Sequence, residues 1–136
     1  MRELKFNGVI PILVTPFKPD ETIDVASLRS TVALMKKIGV NGVTILGVLG
    51  EANRLTDRER EIVISEAVDA AENLPVIVGT SAAGTKAVIE HNEIARKNNA
   101  SAVMITPHAE PTPSDERILQ HFKMIKNESA LPIILQ

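Results

Sequence analysis

Residues 42–51 read Gly42-Val43-Thr44-Ile45-Leu46-Gly47-Val48-Leu49-Gly50-Glu51. A short apolar, β-branched run passes at once into two glycines three positions apart. Nearly continuous apolar residues mark a strand covered on both faces, because a half-solvated strand alternates apolar with polar. The Gly47-Val48-Leu49-Gly50 segment then turns the chain, and a turn of this kind aims consecutive backbone N–H groups at one point, a nest for a carboxylate or phosphate. A tight strand-to-helix connection that binds nothing has the same spacing. Thr56 and Glu59 follow as a capping box, with Ile62, Val63 and Ala67 as the buried stripe of the helix they open. The segment lacks the third glycine and downstream acid of a dinucleotide fingerprint, and no Gly-Lys-Ser/Thr follows it.

The same unit recurs on both sides. Apolar runs occupy residues 9–14, 42–46, 75–79, 102–106 and 131–135, and their starts are spaced by roughly 27 to 33 residues. Helical periodicity fills the intervals. Leu28, Val32, Met35 and Ile38 give a stripe over residues 25–38, closed by Gly39. Residues 85–98 and 115–126 repeat the pattern, the latter with Ser114 as N-cap. Alternating strands and helices predict α/β architecture with a parallel sheet. Two folds are built this way, the doubly wound open sheet and the (β/α)8 barrel, and the barrel takes about 250 residues. In both, chemistry sits at the carboxyl ends of the strands. Those positions hold Thr15-Pro16-Phe17, Gly47 to Gly50 with Glu51, Gly79-Thr80-Ser81 and Thr106-Pro107-His108.

Composition narrows the function classes. The 136 residues are 44% hydrophobic and 24% charged, a globular balance, with a formal net charge of −2. No basic block interleaved with aromatics points to nucleic acid, so a small soluble ligand is the expected partner. With no cysteine, disulfides and thiolate metal sites are excluded, and no His and carboxylate spacing resembles a metal site. The N-terminus lacks the pattern of a signal peptide and no run spans a bilayer, so a cytoplasmic protein with no membrane association is expected. Three Phe with no Tyr or Trp leave the chain without a phenol. His91 and His121 fall within helical segments and are expected at the surface or its boundary. Glu51 is expected to brace the turn through backbone hydrogen bonds, and Thr15, Thr80, Ser81 and Thr106 to line the mouth of the sheet.

The ordered set of motifs resembles the dihydrodipicolinate synthase and N-acetylneuraminate lyase family. It runs from Gly8-Val9 to Thr15-Pro16-Phe17, through Gly47-Val48-Leu49-Gly50-Glu51, to Leu55-Thr56-x-x-Glu59. It continues with Pro75-Val76-Ile77-Val78-Gly79, Thr106-Pro107, Pro113-Ser114-x-Glu116, Gln120-His121-Phe122-Lys123 and Leu131-Pro132-Ile133-Ile134-Leu135. The resemblance covers essentially the whole chain. It implies that residues 1–136 form one incomplete domain, the N-terminal part of a (β/α)8 barrel with about five strands and four helices.

Members of this family are class I aldolases and dehydratases in which a sixth-strand lysine forms a Schiff base with pyruvate or a related 2-oxo acid, without metal or organic cofactor. The resemblance implies a small 2-oxo acid substrate, a homo-oligomer, and a carboxylate held by Gly47, Val48, Leu49 and Gly50, with Thr15 and His108 nearby. Three positions depart from the family pattern. Val48 and Leu49 stand where Thr or Ser is usual, so a backbone role survives and a hydroxyl role does not. Ala109 lies near the position of a tyrosine that crosses a subunit interface, where His108 or Glu110 would have to substitute. Gln136 occupies the usual place of the catalytic tyrosine, and an amide cannot shuttle a proton as a phenol does. Lys5, Lys18, Lys36, Lys37, Lys86, Lys97, Lys123 and Lys126 all fall in the N-terminal segment, loops or helical patterns, and none is expected inside the sheet. The expectation is therefore a piece of a longer Schiff-base lyase, inactive alone. The alternative is a non-catalytic half-barrel that binds a small carboxylate or completes a barrel with another chain.

Overall fold

The computed structural model describes residues 6–107 and 114–136. Helix α1 spans Val25–Ile38, the bounds the periodicity predicts. The Asp24 carboxylate accepts from the Ser27 N–H at its start, and Gly39 ends it in the left-handed conformation at φ 81°. A Cβ is disfavoured in that conformation, which is why glycine closes the helix. Strand β1, Val43–Ile45, leads through two 3-10 turns, Val48–Gly50 and Ala52–Arg54, into α2, Asp57–Ala71. The capping box is complete: the Thr56 hydroxyl accepts from the Glu59 N–H, and the Glu59 carboxylate accepts from the Thr56 N–H at 2.8 Å. The chain continues through β2, Val76–Gly79; α3, Thr85–Lys97; β3, Ala102–Ile105; α4, Asp115–Glu128, capped by Ser114; and β4, Ile133–Leu135.

The strands form one parallel sheet in the order β1-β2-β3-β4, with Val43 opposite Val76, Ile77 opposite Ala102 and Val103 opposite Ile133. Sequential order with right-handed crossovers places successive helices on one face of the sheet. The packing agrees, since α1 contacts α2, α2 contacts α3 and α3 contacts α4. A doubly wound sheet would need a reversal of strand order. Every residue of β1 and β2 is buried, which explains their unbroken apolar reading. Ile45, Val63, Val78, Val88, Val103 and Ile125 fill the layer between sheet and helices. Arg29 ties α1 to α2 through Glu66 and Asp69 at 2.8 and 2.7 Å, contacts that add little at partly exposed positions.

The first apolar run departs from its expected strand. Residues 9–14 lie beside β1 but form a single parallel bridge, Ile12 with Thr44. The Leu13 N–H donates to the Thr44 carbonyl and the Thr44 N–H to the Pro11 carbonyl, both at 2.8 Å. Pro11 has no N–H to return, so the ladder does not propagate. The five expected strands are thus four strands and an extended edge. Val9, Ile12 and Val14 are exposed at that edge, and Leu135 at the β4 edge.

Candidate functional site

The carboxyl ends of the strands surround a pocket of about 250 Å³. One wall is Leu46, Gly47 and Val48, the entry into the glycine turn. The turn is made differently from its sequence reading. Its left-handed residues are not the glycines but Leu46, at φ 55°, and Glu51, at φ 51°. Gly47 is extended at φ −76° and ψ −169°, a conformation open to any residue. Space favours glycine only mildly, because a Cβ on Gly47 would lie 3.0 Å from the Ile12 Cγ2, which would have to shift by a few tenths of an ångström. The Gly50 N–H donates to the Gly47 carbonyl at 3.0 Å and the Glu51 N–H to the Val48 carbonyl at 3.1 Å. The N–H groups of Val48 and Leu49 precede the first such bond and stay outside the turn's own pairing. The side chains of Val48 and Leu49 are exposed.

Thr15 is buried, and its hydroxyl donates to the Gly50 carbonyl at 2.7 Å, so it braces the turn from below and does not line the pocket. Leu49 and Gly50 likewise lie outside the lining. Glu51 braces the turn through its backbone as expected, while its carboxylate pairs with Arg54 at 3.3 Å.

Ser81, Thr106 and Gln136 form the facing wall. The Thr106 N–H donates to the Ser81 hydroxyl at 2.9 Å, and the Gln136 N–H donates to the Ile105 carbonyl at 3.1 Å, which fixes Gln136 beside the end of β3. Ala52, Asn53, Gly79 and Met104 complete the lining, and neither Asn53 nor Met104 stood out in the sequence. Asn53 arrives on the 3-10 turn Ala52–Arg54, whose Ala52 carbonyl accepts from the buried Arg60 guanidinium. Burial holds Arg60 below the ordinary arginine value, opposed by nearby Asp57. No lining residue has an ionisable side chain, so the pocket offers hydrogen bonds and shape but no side-chain acid or base.

Other expectations resolve individually. Thr80 is buried behind the pocket wall and does not line its mouth. His91 lies at the boundary, with its Nε2 3.2 Å from Asp57 Oδ1. His121 is a correction, since it is 3% exposed, with its Nδ1 2.9 Å from the Thr85 hydroxyl. It occupies the same face of α4 as buried Ile125, four residues on. His108, Ala109, Glu110 and Lys5 lie outside the described residues. Among the described lysines none lines the pocket, and Lys36 pairs with Glu72 at 3.0 Å. Among the described residues no group of three or more His, Cys, Asp or Glu could hold a metal ion, and no helix is long and apolar enough to cross a membrane.

Similar proteins share both the chain and the fold. The 4-hydroxy-tetrahydrodipicolinate synthase of Methanothrix thermoacetophila is 34% identical over 131 residues, covering 96% of this chain and 44% of that protein. Its counterpart in Persephonella marina is 39% identical over 132 residues, with the same coverage. The chloride-inhibited dihydrodipicolinate synthase of Acinetobacter baumannii, solved in complex with pyruvate, superposes with a TM-score of 0.90 at 33% identity. That match covers 94% of this chain and 44% of the other. The chain therefore spans less than half the length of the curated relatives it matches, and its sheet and helices are the N-terminal part of their (β/α)8 barrel. The profile of the dihydrodipicolinate synthetase family matches residues 5–136, and the chain belongs to that family.

Proposed function

We propose that these 136 residues are one incomplete barrel domain, the carboxylate-binding part of a lyase acting on a pyruvate-type 2-oxo acid. The observation that carries this reading is the pocket at the strand ends, walled by Gly47 and Val48 in a chain of this family. The N–H groups of Val48 and Leu49, outside the turn's own bonds, hold the substrate carboxylate. A lysine from polypeptide beyond this segment attacks the 2-oxo carbon and expels water. The protonated imine then accepts the electron pair released when a bond at the neighbouring carbon breaks. The segment by itself is inactive because none of its described lysines reaches the pocket.

Proton transfer differs from the usual family arrangement. Gln136 orients substrate or water by hydrogen bonding, and the proton carrier comes from elsewhere in the full protein. The neutral amides and hydroxyls of Asn53, Ser81, Thr106 and Gln136 favour a hydroxylated, sugar-derived 2-oxo acid. The full protein is a cytoplasmic homo-oligomer that needs no cofactor. Borohydride reduction of the full-length protein with pyruvate, followed by intact mass spectrometry, tests the reading. A covalent pyruvyl adduct on a lysine is expected, and a protein that turns over a 2-oxo acid without forming one would overturn it.

A further inference from the structure

Behind the pocket wall, between the ends of β1 and β2 and helices α2 and α3, lies a second cavity of about 10 Å³, the size of one water molecule. Arg60, Thr80 and His91 bring polar groups to it among Leu46, Ile64 and Val78. Thr80 is 1% exposed, and among the described residues its hydroxyl has no hydrogen-bond partner; the buried Nδ1 of His91 also has none. Arg60 is buried too, with its guanidinium bonded to the Ala52 carbonyl on one side. Groups of this kind are almost always satisfied in a folded interior.

We propose that this cavity binds a single structural water that accepts from Arg60 and bridges the Thr80 hydroxyl to the His91 Nδ1. The size of the cavity selects water, since about 10 Å³ holds one water molecule and little more. Asp57 occupies the Nε2 side of the His91 ring, which leaves Nδ1 for the cavity. A water both donates and accepts, so it can satisfy the Thr80 hydroxyl and His91 Nδ1 together. The site also has a position of consequence. Leu46 and Gly79 line both this cavity and the larger pocket, so the water fixes from behind the backbone that shapes the pocket wall.

Crystal structures of the full-length protein, at a resolution that shows ordered water, test the site with and without a bromide soak. Expected is a peak within hydrogen-bond distance of Thr80 Oγ1 and His91 Nδ1, with no bromine anomalous signal. The isosteric Thr80→Val, which keeps the volume and removes the hydroxyl, should lose the peak. The proposal is overturned by an empty or collapsed cavity, by a bromine signal there, or by a water that stays at full occupancy in Thr80→Val.

Discussion

Gly79 packs against the Leu46 carbonyl oxygen so closely that a Cβ on Gly79 would overlap it. The contact joins the ends of two neighbouring strands at the point where β1 leaves the sheet. Leu46 is there in a left-handed conformation, at φ 55°, that costs a non-glycine residue on the order of 1 kcal/mol. The neighbouring backbone must over-determine such a conformation for it to persist. Gly79→Ala should therefore lose about 1–3 kcal/mol of stability by overpacking, read as a lower urea midpoint at unchanged slope. It should also weaken pyruvate binding in the full protein. Wild-type stability in Gly79→Ala would mean that Leu46 yields without cost.

The Val48 side chain is 84% exposed, so its chemistry is separable from folding. Val48→Thr adds a hydroxyl at the pocket wall, where the family usually has one, and should change stability by less than about 0.5 kcal/mol. If the carboxylate is held by backbone N–H groups alone, pyruvate affinity should change less than about fivefold, because a displaced or added neutral hydrogen bond contributes near 1 kcal/mol or less. Calorimetric titration of both proteins makes the comparison. A gain of tenfold or more would show that the hydroxyl, and not the main chain, dominates carboxylate binding in this fold.

The capping box at α2 gives a prediction in pH. Hydrogen bonds from the Thr56 backbone and hydroxyl hold the Glu59 carboxyl below its ordinary value. A group depressed in the folded state stabilises above its unfolded pKa, near 4.3, and loses that contribution as pH falls through the folded value. Stability should thus decline with acidification below about pH 4.5, and Thr56→Ala, which removes the hydroxyl but keeps the larger backbone contribution, should flatten that part of the profile only in part. At neutral pH the same substitution should cost about 1 kcal/mol. Denaturation series at several pH values separate the two effects. An unchanged acid limb in Glu59→Gln, which removes the titrating group itself, would remove Glu59 from the account.

What the sequence disclosed was local, and what it concealed was tertiary. The bounds of α1 were legible because the stripe from Leu28 to Ile38 lies within one segment and Gly39 signals its end within one turn of chain. The capping box was legible for the same reason. Pro11 was visible in the first apolar run, yet whether it stops a ladder depends on which groups β1 presents to it. His121 read as a boundary residue because its burial is decided by Thr85, thirty-six residues away. At the site, the glycine pair was found and its role misassigned, since the left-handed positions fell to Leu46 and Glu51, residue types that do not favour that conformation. Arg60, Thr80 and His91 come from three different elements, and no spacing rule could join them.

The edges of the sheet decide between the two readings of the isolated segment. Val14 and Leu135 are 55% and 66% exposed on opposite edges, beside backbone groups that a closed barrel would pair. The 136-residue chain expressed alone should bury these edges against other copies, in a concentration-dependent way visible by size-exclusion chromatography with light scattering. Charged residues oppose edge pairing, so Val14→Lys with Leu135→Lys should shift the distribution toward monomer without lowering helical content. A discrete dimer abolished by both substitutions would favour a half-barrel built to be completed by another chain. Heterogeneous association relieved by either substitution would favour a segment whose natural cover is the rest of its own polypeptide. A wild-type chain that stays monomeric at high concentration would refute both, because the exposed edges would then need no partner.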